Sequence, residues 1–519
     1  MKLHPCFAAL AAALVLATAP LAHASSGPGV AWQAAAADAD IDRAFSQARA
    51  EKKPVLLYWG AKWCPPCNQL KATLFNRADF IEQSKAFVAV GIDGDAPGAQ
   101  KLGTRFKVRG YPTMILFSPA GHEITRLPGE ADAAQVMKVL QLGLSSGRPV
   151  KAVLADARAG RKLGANEWRL LGFYGWETDE QQLLPVAERA ATLAQLAKAS
   201  EGAQHGDGET TTRLWLKSIG ALGEGKTADP AQLPRLRAVL ADATQARAQM
   251  DVLTNEAPDL VKALAPQPGA ARQQLVAEFD AALRRLNADA TLSRADRLNA
   301  LQARIELARL DTAKDEPHPK ALPAALLAEA REQAGRANRE ITDGYERQAV
   351  VTGAASLLGR AGLWTESDEL LKSALARSHS PYYLMSQLGG NARKQGKKAD
   401  ALRWYEEAFN KSEGPATRLQ WGSSYFGALV ELSPEDTPRI ERAAAQLFAE
   451  AEKDSGAFHE RSERALKKVA ALLAGWNQGP TQAAAVGRLK AQLDGVCGKL
   501  DAADAKARAT CQGLMKPKA

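Results

Sequence analysis

Past its first two dozen residues the sequence lacks any run of the roughly 20 apolar residues that a membrane-spanning helix needs, so no integral span is expected there. It also lacks a dense Lys/Arg block interleaved with aromatics. Despite a formal net charge of +9, nucleic-acid binding is therefore not expected. The excess charge favours solubility and acidic partners. The histidines recur at no ligand spacing, and no second cysteine pair lies near the first, which argues against a closed four-ligand zinc site. No metal and no cofactor are expected. Cysteine is scarce, at five in 519 residues, so each one invites a specific explanation.

What is present is ordinary globular material in unusual length. Hydrophobic residues at 46% and charged residues at 24% exclude a disordered chain. A chain of 519 residues exceeds one hydrophobic core, which predicts at least two domains. The N-terminus has the three parts of a secretory signal: Lys2, the apolar stretch Phe7 to Thr18, and Ala22-His23-Ala24 before Ser25. Cleavage is expected after Ala24, giving a periplasmic or secreted protein with no integral membrane segment. Cys6 would leave with residues 1–24. Cys64, Cys67, Cys497 and Cys511 would then meet an oxidising compartment, where thiols tend to pair.

From about Trp32 to Leu144 the pattern alternates between helix and strand. Ile41, Ala44, Phe45 and Ala48 share one helical face, and Val55 to Trp59 is a continuous apolar run suited to a strand buried on both faces. Strands are expected at 87–93, 113–117 and 123–126, and helices at 64–75, 99–106 and 132–144. The order α-β-α-β-α-β-β-α predicts a mixed sheet with helices on both faces, within a domain spanning 25–147. After Ser145-Ser146-Gly147 strand-like runs vanish, and helical spacing takes over in an all-α region, 148–345. Breaks are expected at 201–211, 265–269 and 315–323. Gly362, Leu371, Ala374 and Pro381 recur 34 residues later as Gly396, Tyr405, Ala408 and Pro415. That period resembles tetratricopeptide repeats, expected over 346–450 and followed by C-terminal helices at 451–519. Trp404, Tyr405, Phe409, Trp421, Tyr425 and Phe426 read as core between the repeats.

The chemistry concentrates at Trp63-Cys64-Pro65-Pro66-Cys67, just past the Val55–Trp59 strand. Cys64 should sit at a helix N-terminus, where unpaired N–H groups and the dipole favour a thiolate below the free value of about 8.5. Cys67, one turn on, shares its face and is placed to resolve a mixed disulfide formed at Cys64. Pro65 and Pro66 cost the first turn little. The alternative of half a zinc site lacks its other ligands. A second element, Gly110-Tyr111-Pro112-Thr113, precedes an apolar strand, and Pro112 is a candidate cis-proline facing the pair. The backbone beside it could pair with an extended substrate chain.

These features together resemble a thioredoxin-fold domain: the Trp-Cys-x-x-Cys run, Asp93 closing the next strand, the Gly-Tyr-Pro-Thr loop, and Gly129 after the last hairpin. Thr73-Leu74-Phe75 and the absence of a kinking proline in the helix after the motif are similar to the C-terminal periplasmic domain of thiol:disulfide interchange reductases. The resemblance implies thiol:disulfide oxidoreductase activity, with Cys64 and Cys67 as the redox pair. It also implies Trp63, Tyr111 and Pro112 at the substrate-facing surface. Its partners would be protein thiols and disulfides and a membrane-bound or soluble redox partner. Two positions depart from the family. Tyr58 stands where a buried acid is usual, and Ala89 where a lysine is common, leaving Tyr58 or water to carry the proton for Cys67. Cys497 and Cys511, in the helical tail, read as a structural disulfide or as a regulatory or shuttling pair.

The expectation is an α/β thioredoxin fold followed by a large all-α domain of helical hairpins, acting as an exported oxidoreductase whose helical region recruits partners. The alternative is a helical-repeat interaction scaffold with a non-catalytic thioredoxin-like domain.

Overall fold

The computed structural model describes residues 29–129, 131–179, 182–312 and 321–516. The secretory signal, its cleavage after Ala24, and Cys6 lie outside these residues, as does most of the expected 315–323 break.

The first unit is a five-stranded mixed sheet. Its elements are β1 (Gln33–Ala34), α1 (Asp38–Glu51), β2 (Val55–Gly60), α2 (Pro65–Thr73), α3 (Ala78–Ser84), β3 (Val88–Asp93), α4 (Ala99–Phe106), β4 (Thr113–Phe117), β5 (Glu123–Leu127) and α5 (Ala133–Ser146). The strand order is β1-β3-β2-β4-β5. β3 runs parallel to β1 and β2, and the β4–β5 hairpin joins β2 antiparallel. β2 is central and wholly buried, which is why its sequence is apolar without alternation. Val55, Leu57 and Trp59 face the core under α1 and α4, while Leu56 and Tyr58 face the one under α2, α3 and α5. The sequence pattern omits β1 and α3, two short elements, and otherwise places the strands and helices within a few residues.

The rest of the described chain is helical, as the change in composition after residue 147 requires. One core gathers residues from Val150 to Leu307, a second from Ala295 to Leu388, and a third from Leu402 to Cys511. The break expected at 201–211 is narrower, between helices Val186–Glu201 and Gly208–Gly220, and the one at 265–269 falls between Ala257–Leu264 and Ala270–Ala288. The repeat appears as hairpins: Gly344–Arg360 with Trp364–Ala374, Pro381–Lys394 with Lys398–Lys411, and Pro415–Leu432 with Thr437–Glu452. Gly362 and Gly396 make the turns at φ of 83° and 71°, a left-handed conformation that glycine adopts without Cβ strain. Pro381 and Pro415 each occupy a first helical position, where the missing N–H has no partner to lose. Within the second hairpin a Cβ at Gly389 would touch the Tyr405 ring at 3.0 Å, so the small residue makes room for the large one.

Cys497 and Cys511 are buried and bonded to each other, linking Pro480–Gly498 to Ala505–Gly513. They close a segment of sequence separation 14. A Cys497→Ala/Cys511→Ala variant should lose about 3 kcal/mol, the chain-entropy value for a loop of about 15 residues. Denaturant unfolding of the variant beside the wild-type protein measures this.

Candidate active site

β2 delivers the chain to Ala61-Lys62-Trp63, and α2 begins immediately afterwards. Cys64 is the N-cap residue of α2, and its Sγ accepts the Cys67 backbone N–H at 3.2 Å. Pro65 and Pro66 fill the first turn. The two sulfurs are bonded in a disulfide, with Cα atoms 5.3 Å apart. Asn68, fully buried, donates from Nδ2 to the carbonyls of Lys62 at 2.9 Å and Cys64 at 2.8 Å, fastening the loop to the helix. Sequence reasoning passed over Asn68, because a single polar residue inside an amphipathic helix carries no signal of its own.

The second predicted element lies alongside. The Tyr111–Pro112 peptide is cis. Tyr111 and Trp63 pack against the small buried cluster of Ala61, Cys64 and Cys67. A Cβ at Gly129 would stand 3.2 Å from the Pro112 carbonyl, which accounts for a glycine there. Gln100, on α4, donates to the Tyr111 hydroxyl and to Gly94 O, both at 2.6 Å. Burial, reinforced by the nearby Asp93 carboxylate, pushes the Tyr58 hydroxyl well above its ordinary range.

The sequence gives no hint of what covers this site. The Gly344–Arg360 helix packs along α2, and its Gln348 donates to Trp63 O at 2.9 Å. The Trp63 ring stacks on Tyr383, with centroids 5.8 Å apart, and tilts against Trp421 at 5.2 Å. Its Nε1–H is shared by Asp95 Oδ2 at 2.9 Å and Thr417 Oγ1 at 3.0 Å. Lys62 pairs with Glu413 at 3.0 Å, and its carbonyl meets His379 Nε2 at 3.1 Å. Burial, with the charges of Lys62 and Lys71, outweighs the hydrogen bond to Lys62 O and holds His379 below its ordinary value. Arg461, from the Glu460–Trp476 helix, pairs with Asp95. Cys64 is 2% exposed and Cys67 0%. Trp421 packs between repeat helices, in a cluster with Tyr382, Met385 and Ala408, and also meets Trp63 there. Phe409 and Phe426 do lie in the helical core.

A second contact holds the C-terminal helices to α4. Asp504 Oδ2 meets Lys101 Nζ at 3.1 Å and His459 Nε2 at 3.0 Å. Burial raises the Asp504 carboxyl, but the Ala507 N–H, Lys101 and His459 outweigh it and bring the value down to about 2. A carboxyl depressed from about 4 in the unfolded chain stabilises above that pH. The contribution is then lost as pH falls from about 4 through about 2. Asp504→Asn should flatten that limb of a thermal-unfolding profile measured against pH.

Among the described residues no group of three His, Cys, Asp or Glu side chains could hold a metal ion. Among them, too, no helix is long and apolar enough to cross a membrane.

Comparison with known proteins agrees with this geometry. The family model for a thioredoxin-like domain matches residues 41–143. The thiol:disulfide interchange protein DsbD 1 of Pseudomonas aeruginosa is 32% identical over 128 residues, covering 24% of this chain and 22% of that protein. DsbD of Yersinia pestis is 35% identical over 98 residues, 18% of this chain and 16% of its own. The chain thus spans about a fifth of the length of these relatives. A solved structure of the oxidoreductase DsbH aligns with 26% of this chain and 96% of its own at 16% identity, with a TM-score of 0.20 that bears on nothing further. The protein carries a thioredoxin-like domain homologous to part of the DsbD thiol:disulfide interchange proteins, and a large helical region follows it.

Proposed function

We propose that the protein is a periplasmic or secreted thiol:disulfide oxidoreductase in which Cys64 is the entry nucleophile and Cys67 the resolving thiol. The observation that carries this reading is Cys64 at the N-terminus of α2, its sulfur receiving the Cys67 N–H at 3.2 Å. That position favours a thiolate. In the reducing direction the Cys64 thiolate attacks one sulfur of a substrate disulfide and releases the other as a thiolate. Cys67, deprotonated, then attacks Cys64 Sγ, frees the second substrate thiolate and closes the Cys64–Cys67 bond. Run backwards, the same steps oxidise a substrate dithiol. Trp63, Tyr111 and Pro112 would line the face that a substrate chain meets, and the helical region, which covers that face, would select the partner admitted to it.

Cys67→Ser leaves the first step intact and removes the second. Purified Cys67→Ser protein should accumulate mixed disulfides with its substrates, and their absence from the purified and cellular forms alike would falsify the reading. The reduction potential of the wild-type pair assigns the direction. A value near about −270 mV marks a reductant, and one near about −120 mV an oxidant.

The near-complete burial of both sulfurs favours a second reading, a helical-repeat scaffold whose thioredoxin-like domain does no chemistry. It requires partner capture to be unchanged in Cys64→Ala/Cys67→Ala. Pull-downs with both forms separate the two.

A further inference from the structure

The Glu460–Trp476 helix sends one charged side chain into the redox site from more than 350 residues away in sequence. Arg461 Nη2 is committed to Asp95 and lies 3.4 Å from Thr417 Oγ1. Its backbone N–H donates to Gln100 Oε1 at 3.0 Å, and Gln100 in turn holds the Tyr111 hydroxyl. The guanidinium carbon sits 5.2 Å from the Trp63 ring centroid and 5.1 Å from that of Tyr111. These two rings flank the Cys64–Cys67 pair. Arg461 Nε and Nη1 are buried and find no acceptor among the described residues. Buried N–H groups of a cation carry a desolvation cost until an acceptor arrives.

We infer that Arg461 supplies the fixed positive charge that holds the Cys64 thiolate once the disulfide is reduced, so that the helical region completes the redox site as well as covering it. The inference rests on the oxidoreductase reading above. A reducing dithiol gives two electrons, the Cys64–Cys67 bond breaks, and the dithiol becomes a disulfide. One of its two protons goes to Cys67 and the other to solvent, and Cys64 is left as a thiolate. In the oxidised state the site has no anion on sulfur, and in the reduced state it has one. The other charges around it are Asp95 on the loop after β3, Asp93 at the end of β3, Lys71 on α2, and Lys62 paired with Glu413. Among these groups Arg461 alone is wedged against both flanking rings.

At an effective dielectric near 20 a fixed unit charge beside a titrating group changes its protonation equilibrium by about tenfold. In the full-length protein Arg461→Gln should therefore raise the Cys64 thiol by about one pH unit, followed by thiolate absorbance at 240 nm. It should also make the Cys64–Cys67 potential more negative by about 30 mV, the tenfold equivalent for two electrons. Arg461→Lys should retain part of both effects. Asp95→Asn breaks the same ion pair while keeping the cation and should move the potential the opposite way. If Arg461 only ties the helix to the domain, Asp95→Asn and Arg461→Gln loosen it alike and shift the potential in the same direction, or not at all, which overturns the inference. Failure of the wild-type pair to exchange with glutathione would be a separate result: it removes the oxidoreductase reading and this inference with it. Normal wild-type exchange with an unmoved Arg461→Gln removes the inference alone.

Discussion

Cys64→Ser should reduce thiol:disulfide exchange by the purified protein to the uncatalysed background, measured as insulin reduction or dithiol oxidation. The reason is chemical and local. The attacking species is a thiolate. A serine hydroxyl at the N-cap of α2 can accept the same backbone N–H, so the fold should hold and the loss be confined to chemistry. Cys67→Ser differs in kind, because it stops turnover after the first step and leaves the substrate attached. Retained turnover in well-folded Cys64→Ser would mean that the exchange runs through another sulfur, and the proposed assignment would fail. The wild-type rate should itself be modest. With Cys64 2% exposed, substrate attack should wait for the site to open, and the observed rate should scale with the open fraction.

What was legible in the sequence was what is local. β2 announces itself because burial on both faces leaves five apolar residues in a row, and the Cys64–Cys67 spacing declares its own helix turn. The turn glycines Gly362 and Gly396 mark the repeat because each needs a positive φ. α3, seven residues long, and β1, two residues long, are too short for a period to show. The cover over the site was invisible for a different reason. Gln348 reaches Trp63 across a separation of 285, and Arg461 reaches Asp95 across 366. No pattern within a helix distinguishes a residue that faces a neighbouring repeat from one that faces another domain. Trp421 shows this directly, since its helical spacing fits the repeat core while its ring lies against Trp63.

Gly414→Ala should open the site. Gly414 stands just before the Pro415–Leu432 helix, which carries Thr417 and Trp421 to the Trp63 ring. Its φ is 81°, and a Cβ there would lie 2.7 Å from Asp95 O and 2.8 Å from Asp95 Cβ. The two penalties act differently. Left-handed backbone costs an alanine about 1–2 kcal/mol whether the cover is open or closed, so it lowers stability without shifting that balance. The collision with Asp95 exists only when the cover is down. Overpacking of this kind costs about 1–3 kcal/mol, which at 1.4 kcal/mol per tenfold raises the open fraction by about 5- to 150-fold. Alkylation of reduced Cys64 by iodoacetamide should accelerate by that factor in Gly414→Ala. Gly396→Ala is the control. Its φ of 71° imposes the same backbone strain, and a Cβ there meets nothing within 4 Å, so its alkylation rate should match wild type. Equal acceleration in both variants would assign the effect to general loosening of the repeats. Acceleration in neither would mean that the close approach of Gly414 to Asp95 does not hold the cover down.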